Sequence, residues 1–215
     1  MNEITFKNVL PQVFVSAQEQ LSSDIWLKEV TFQRGKNYLV EAESGKGKST
    51  FCSYIMGYRH DYSGQVLMDG TDCCTFQVND WIRLRQQHVS CLFQELRLFP
   101  ELTAFENVDI KNRLTHHKTR KEIESWFERL EISDKLETRV GQLSFGQQQR
   151  VALLRALVQP FDFLLADEPV SHLDDRNAGL MAEILVEEAQ HQGASIIATS
   201  IGKRIPVVYE QTFKL

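Results

Sequence analysis

Tyr38-Leu39-Val40 and, four positions on, Ser44-Gly45-Lys46-Gly47-Lys48-Ser49-Thr50 decide the fold. The apolar triplet reads as a short strand, and after the glycine-rich run Phe51, Ile55 and Met56 recur at the spacing of a helix face. Strand, glycine-rich loop and helix together form a phosphate-binding unit. A loop that holds the β- and γ-phosphates of a nucleotide needs backbone N–H groups free to converge, a lysine to neutralise charge and a hydroxyl for Mg²⁺. Gly45, Gly47, Lys48 and Ser49 supply those parts, with Ser44, Lys46 and Thr50 completing the candidate contacts. The strict pattern G-x-x-x-x-G-K-[ST] is broken at its first glycine, which here is Ala42. Alanine fits if that backbone keeps a negative φ and is strained if it does not. The competing reading, a lysine-rich surface turn, gives no role to the flanking strand and helix.

Working outward, residues 4–14 and 25–32 carry apolar side chains at about every second position, as strands of a half-buried antiparallel sheet do. Residues 79–140 change character. Ile123, Trp126, Phe127 and Leu130 have helical periodicity, and Thr103 followed by Glu106 is a capping box, so this stretch reads as a helical subdomain inserted in an α/β core. The spacing then predicts a helix over 147–158, a buried strand over 163–166, a helix over 175–192 closed by Gly193, and a strand over 194–199. Such alternation implies a parallel sheet with crossover connections. No repeat, low-complexity tract or Pro/Gly linker divides the 215 residues, so one domain is expected.

Asp167-Glu168-Pro169 follows the strand over 163–166 directly. An Asp at the end of such a strand is placed to hold Mg²⁺, and the next Glu to act as base on an attacking water. Alone, the dipeptide reads equally well as an acidic turn; paired with the phosphate loop it becomes the second half of a nucleotide site.

Leu143-Ser144-Phe145-Gly146-Gln147, followed by Gln148-Gln149-Arg150-Val151-Ala152, closely resembles the ABC signature motif LSGGQ and the helix after it. Ser144 and the Gly146 amide sit at an expected helix N-terminus, where N–H groups and dipole attract phosphate. The resemblance runs from about residue 3 to 209, with every motif in the family's order. It implies an ABC-type P-loop NTPase core with an antiparallel β subdomain and a helical insert, and an ATP-hydrolysing motor that works on a separate integral membrane permease. By the same resemblance Glu168 is the catalytic carboxylate. Gln94, in Cys91-Leu92-Phe93-Gln94-Glu95, is the Q-loop glutamine, sensing the γ-phosphate and sharing Mg²⁺ with Ser49 and Asp167. Ser144, Gly146 and Gln147 reach the ATP held by a second subunit, in a homodimer or a heterodimer with a related ATP-binding subunit. Ser171-His172-Leu173-Asp174 matches the D-loop at that interface, with His172 read as a solvated or interface residue. Phe14 is the candidate for stacking on adenine, against the plainer reading of a core phenylalanine. The stretch from Phe99-Pro100-Glu101 to Glu106-Asn107-Val108 looks like the branch that serves lipoprotein release, macrolide export and cell-division permeases.

Two further positions depart from the pattern. Phe145 replaces the first signature glycine, and Ser200, after Ile196-Ile197-Ala198-Thr199, stands where the family has its switch histidine. Serine carries no positive charge and has a shorter reach than imidazole. Lys203 or Arg204 is close enough in sequence to substitute electrostatically. The expectation is that ATP binding persists while hydrolysis is slowed, which keeps open a second reading, a regulatory or structural nucleotide-binding subunit of a membrane complex.

Composition trims the alternatives. With 42% hydrophobic and 25% charged residues, disordered and fibrous classes drop out. A net charge of -5 without basic blocks gives no footprint for nucleic acid. There is no apolar run of about 18 residues and no basic start to an N-terminal apolar segment, so a chain neither exported nor membrane-spanning is expected, and the resemblance implies a place on the cytoplasmic face, peripheral through its permease. Cys52, Cys73, Cys74 and Cys91 lack metal spacing and read as reduced thiols. A DNA-repair or translation ATPase would bring tandem domains, coiled-coil arms or a basic surface, and a small-metabolite kinase has no use for a signature motif.

Overall fold

The computed structural model describes residues 1–43, 45–171 and 173–215, so the expectations for Ser44 and His172 lie outside the described residues. Two sheets share the molecule. One is antiparallel, in the order β2 (Glu29–Gln33), β1 (Glu3–Pro11), β4 (Tyr62–Met68), β5 (Thr71–Asp72). The other is parallel, in the order β6 (Val89–Leu92), β7 (Phe163–Asp167), β8 (Ser195–Ser200), β3 (Tyr38–Glu41), β9 (Gln211–Lys214).

Every residue of β7 and β8 is buried, which is why the apolar runs Phe163–Ala166 and Ile196–Ala198 do not alternate with polar residues. The pleat divides them between two cores. Tyr38, Val40, Leu165 and Ile197 face a cluster with Phe6, Trp26, Phe32 and Phe51, where the antiparallel sheet and helix α1 (Lys48–Ile55) close over the parallel one. The Phe6 and Phe51 rings stack there with centroids 5.0 Å apart. Leu39, Leu164, Ala166 and Ile196 face the other cluster, with α3 (Ala104–Asn112), α4 (Arg120–Arg129), α5 (Phe145–Leu157) and α6 (Asp175–His191). The expected capping box at α3 is present: Glu106 N donates to Thr103 Oγ1 at 3.1 Å, and Thr103 N to Glu106 Oε2 at 2.7 Å.

Three expectations need correction. The strand expected over 4–14 ends at Pro11, which has no N–H to extend the ladder, and the chain turns into a 3₁₀ segment (Gln12–Gln20) that carries Phe14. The strand expected from residue 25 begins at Glu29. Ser23 Oγ accepts from both the Ile25 and Trp26 amides and Leu27 has a left-handed φ of 58°, so 25–28 is a turn. The stretch 79–140 is not helical throughout. After the short helix α2 (Val78–Arg83) it contributes β6, whose four residues are all buried and pair with β7, and only α3 and α4 form the helical outgrowth. Four residues are too short for their periodicity to separate a buried strand from a helix turn.

The outgrowth is fastened to the core by charge as well as by packing. Lys118, just before α4, and Glu188 on α6 are both buried and meet at 2.8 Å, while Arg129 reaches Glu187 at 2.6 Å on the surface. Losing one partner of a buried pair typically costs about 3–5 kcal/mol because the other charge is stranded, whereas the exposed pair is worth under about 1 kcal/mol. No helix among the described residues is long and apolar enough to cross a membrane.

Candidate nucleotide site

The C-terminal ends of β3, β7 and β8 lie side by side, the edge at which open α/β sheets bind ligands. From β3 the chain enters the glycine loop. Gly45 and Gly47 have φ of 79° and 102°, and a Cβ on Gly47 would lie 3.1 Å from the Phe14 ring and 3.3 Å from the Trp26 ring. Both backbone conformation and space therefore call for glycine at 47. Ala42 is not among the residues with positive φ, so the substituted position is unstrained; its amide donates to the Ser200 carbonyl at 3.1 Å. Lys48 is buried and folds back over the loop, donating to the Ala42 and Glu43 carbonyls at 3.0 Å each. Lys46 is exposed, and Thr50 Oγ1 accepts from Arg59 at 3.2 Å. A cleft of about 480 Å³, lined in part by Ala42, Glu43, Lys46, Ser200 and Gly202, opens beside the loop.

Asp167 joins three elements. Its Oδ2 accepts from Ser49 Oγ on α1 at 3.0 Å, and its Oδ1 from Thr199 Oγ1 on β8 at 2.6 Å. Thr199 also accepts from the Glu168 amide at 3.2 Å. Glu168, 7% exposed, has a left-handed φ of 50°. That conformation costs a non-glycine residue about 1–3 kcal/mol and persists where the surroundings enforce it. It places Glu168 Oε1 3.5 Å from Lys48 Nζ and Oε2 3.4 Å from Gln94 Nε2. Buried behind Asp167, the Cys91 thiol is pushed up to about 12 by desolvation first and by that carboxylate second, and Cys52 is raised for the same reasons. Both stay protonated and neutral beside the site, and all four cysteines are free.

Lys48, Ser49, Asp167, Glu168 and Gln94 thus lie together, with Gln94 meeting Glu168 rather than the Ser49–Asp167 pair. Phe14 lies against the loop without being in a strand. Among the described residues no hydrogen bond joins Ser144, Gly146 or Gln147 to this group. They form the start of α5, where Ser144 N donates to Gln147 Oε1 at 2.9 Å and Gln147 N to Ser144 Oγ at 3.3 Å. Phe145 is 46% exposed. Ser200 is buried and its hydroxyl is used within its own turn, donating to the Lys203 carbonyl and accepting from the Gly202 amide, both at 2.9 Å. Neither neighbour takes the place of the histidine here: Lys203 Nζ binds the Leu173 carbonyl and Asp175, and Arg204 binds Glu41. Thr199 joins the site through Asp167 and Glu168, and its only signal in the sequence is its place in the strand leading to Ser200.

The family model described as ABC transporter matches residues 28–171, the span from β2 to the D-loop. The chain belongs to the ABC transporter family. Among its ABC relatives, "ABC transporter ATP-binding protein YtrE" of Bacillus subtilis (strain 168) is 28% identical over 88% of this chain and 84% of its own length. "Macrolide export ATP-binding/permease protein MacB" of Shewanella sp. (strain ANA-3) is 33% identical over 86% of this chain, which spans 28% of that protein. The bacterial ABC transporter cassette MJ0796, solved as a dimer, superposes with a TM-score of 0.75 at 25% identity, over 92% of this chain and 87% of that one. Family and site together make this chain an ABC-type ATPase, the ATP-binding motor subunit of a transporter.

Proposed function

We propose that the chain binds ATP between its own glycine loop and the signature helix of a second subunit, and that closing and reopening of this pair drives an integral membrane permease. The observation that carries the reading is the convergence of Lys48, Gln94 and Glu168 beside the Ser49–Asp167–Thr199 cluster. The loop amides and Lys48 would neutralise the β- and γ-phosphates. Glu168 would accept a proton as a water oxygen bonds to the γ-phosphorus and the bond to the β-phosphate oxygen breaks, with Lys48 balancing charge on the departing ADP. The hydroxyl, carboxylate and amide oxygens of Ser49, Asp167 and Gln94 are the hard donors that Mg²⁺ selects. When bound, Mg²⁺ would offset charge on the phosphate oxygens.

Phe14, packed against Gly47, is the base-stacking candidate in this reading. Phe14→Ala should weaken ATP binding about tenfold, near the upper end of what a stacking contact contributes. Titration calorimetry giving wild-type affinity would remove Phe14 from the site. The subunit would sit on the cytoplasmic face of the membrane through its permease, and the stretch 99–108 together with the MacB similarity favours the lipoprotein-release, macrolide-export and cell-division branch.

The assembly is tested by purifying the chain at native levels from detergent-solubilised membranes and identifying its companions by mass spectrometry. A stoichiometric permease is expected; a purely soluble protein would sink the transporter assembly. The second reading, a subunit that clamps more than it turns over, is favoured by Ser200, whose hydroxyl is committed to its own turn.

A further inference from the structure

The segment after β8 is held at both ends, and its holders are different functional segments. On one side the Ala42 amide donates to the Ser200 carbonyl at 3.1 Å, and Arg204 pairs with Glu41 at 2.7 Å, so the turn is fixed to the root of the glycine loop. Within the turn Ser200 Oγ bridges the Lys203 carbonyl and the Gly202 amide. On the far side Lys203 Nζ donates to the Leu173 carbonyl at 2.5 Å and to Asp175 Oδ1 at 2.9 Å. Leu173 is 7% exposed, and its Cδ2 lies 3.3 Å from where a Cβ on Gly146 would be. The line therefore runs from the glycine loop through Ser200, Lys203 and Leu173 to the first turn of α5.

We infer that Lys203 is a positioning residue that carries the loading of the glycine loop to the signature helix of the same chain, through the carbonyl of Leu173. The side chain that would touch nucleotide is missing at position 200, and the turn that replaces it works as a strut. The Lys203–Asp175 pair alone cannot do this, since Asp175 is 98% exposed and such pairs contribute little. The bond to the Leu173 carbonyl is the connection that matters, because the Leu173 side chain is buried against Gly146, so a shift of the backbone at 173 presses on the helix start. Coupling between two sites requires a contiguous element that both bias, and this turn contacts both.

The inference rests on residues 42–50 being a nucleotide loop, and the test separates the two ideas. The full-length chain is held at a concentration where light scattering reports monomer, and ATP with Mg²⁺ is added. Hydrogen exchange is followed over residues 141–150 and 171–175, and ATP affinity is measured on the same samples. In the wild type and in Lys203→Arg, ATP should slow exchange over both segments by about fivefold, the low end of ordinary site-to-site coupling. In Lys203→Met the affinity should stay within about twofold while the change over 141–150 disappears. A Lys203→Met chain that responds like the wild type overturns the strut, as does a wild type that binds ATP with no change over 141–150. Absence of ATP binding in all three overturns the nucleotide reading, and the strut with it.

Discussion

Glu168→Gln is expected to lower ATP turnover by about 10²- to 10⁴-fold, the range lost when a positioned general base is removed, while ATP binding is retained. The geometry makes the outcome selective. Glu168 pairs with Lys48 and accepts from Gln94, and its left-handed backbone gives its amide proton to the Thr199 hydroxyl. An amide has nearly the same shape, so the fold around position 168 should survive. Lys48 loses an anion 3.5 Å away but keeps the Ala42 and Glu43 carbonyls, which is why the loop should still close on phosphate. What the amide cannot do is accept a proton from water. Single-turnover phosphate release, measured with the permease present, reads the chemical step, and equilibrium binding reads the rest. A variant with more than about a tenth of wild-type turnover would take the base role away from Glu168.

The parts of this site that were legible in the sequence are those in which side-chain chemistry and local backbone coincide. Gly45, Gly47, Lys48 and Ser49 are consecutive or nearly so, and Asp167-Glu168 ends an apolar run, so spacing alone placed them at a strand-to-helix turn and a strand end. The capping box at Thr103 is equally local. What stayed hidden is decided by partners far away in the chain. Thr199 matters because β8 lies beside β7, 32 positions away from the Asp167 it binds. The left-handed backbone of Glu168 carries no mark in a glutamate codon, since that residue type rarely adopts it. Strand β6 is four residues long and sits within a stretch of helical patterning, so only its pairing with β7 identifies it. The alternation around Phe14 reads as a strand, yet Pro11 ends the ladder and the ring reaches the loop from a 3₁₀ turn. Lys203 and Arg204 are close enough in sequence to stand in for imidazole, but tertiary structure gives them to the Leu173 carbonyl with Asp175 and to Glu41 instead.

Ser200→His is the complementary experiment, and it should raise turnover by about tenfold, a barrier change of about 1.4 kcal/mol, with little change in KM. The reasoning starts from what serine does now. Its hydroxyl has one proton, given to the Lys203 carbonyl, and accepts from Gly202, so it has no proton left to donate elsewhere. Histidine at the end of β8 would lose both bonds, at a cost of about 0.5–1.5 kcal/mol each, and would have to leave the turn. Ser200 lines the cleft beside Ala42, Glu43 and Lys46, and that is the space the ring would have to enter. An imidazole there brings a donor to the rim of the glycine loop that no described neighbour supplies, since Lys203 and Arg204 are engaged elsewhere. The gain should vanish when Glu168→Gln is added, because a donor to phosphate cannot replace a base. The same substitution removes the staple that holds Lys203, so exchange over 141–150 should respond less to ATP even as turnover rises. Faster chemistry with weaker transmission would mean that position 200 trades one role for the other. Unchanged turnover, in a complex that Glu168→Gln inactivates, would mean that the serine is no defect and that the site reaches full rate without the imidazole.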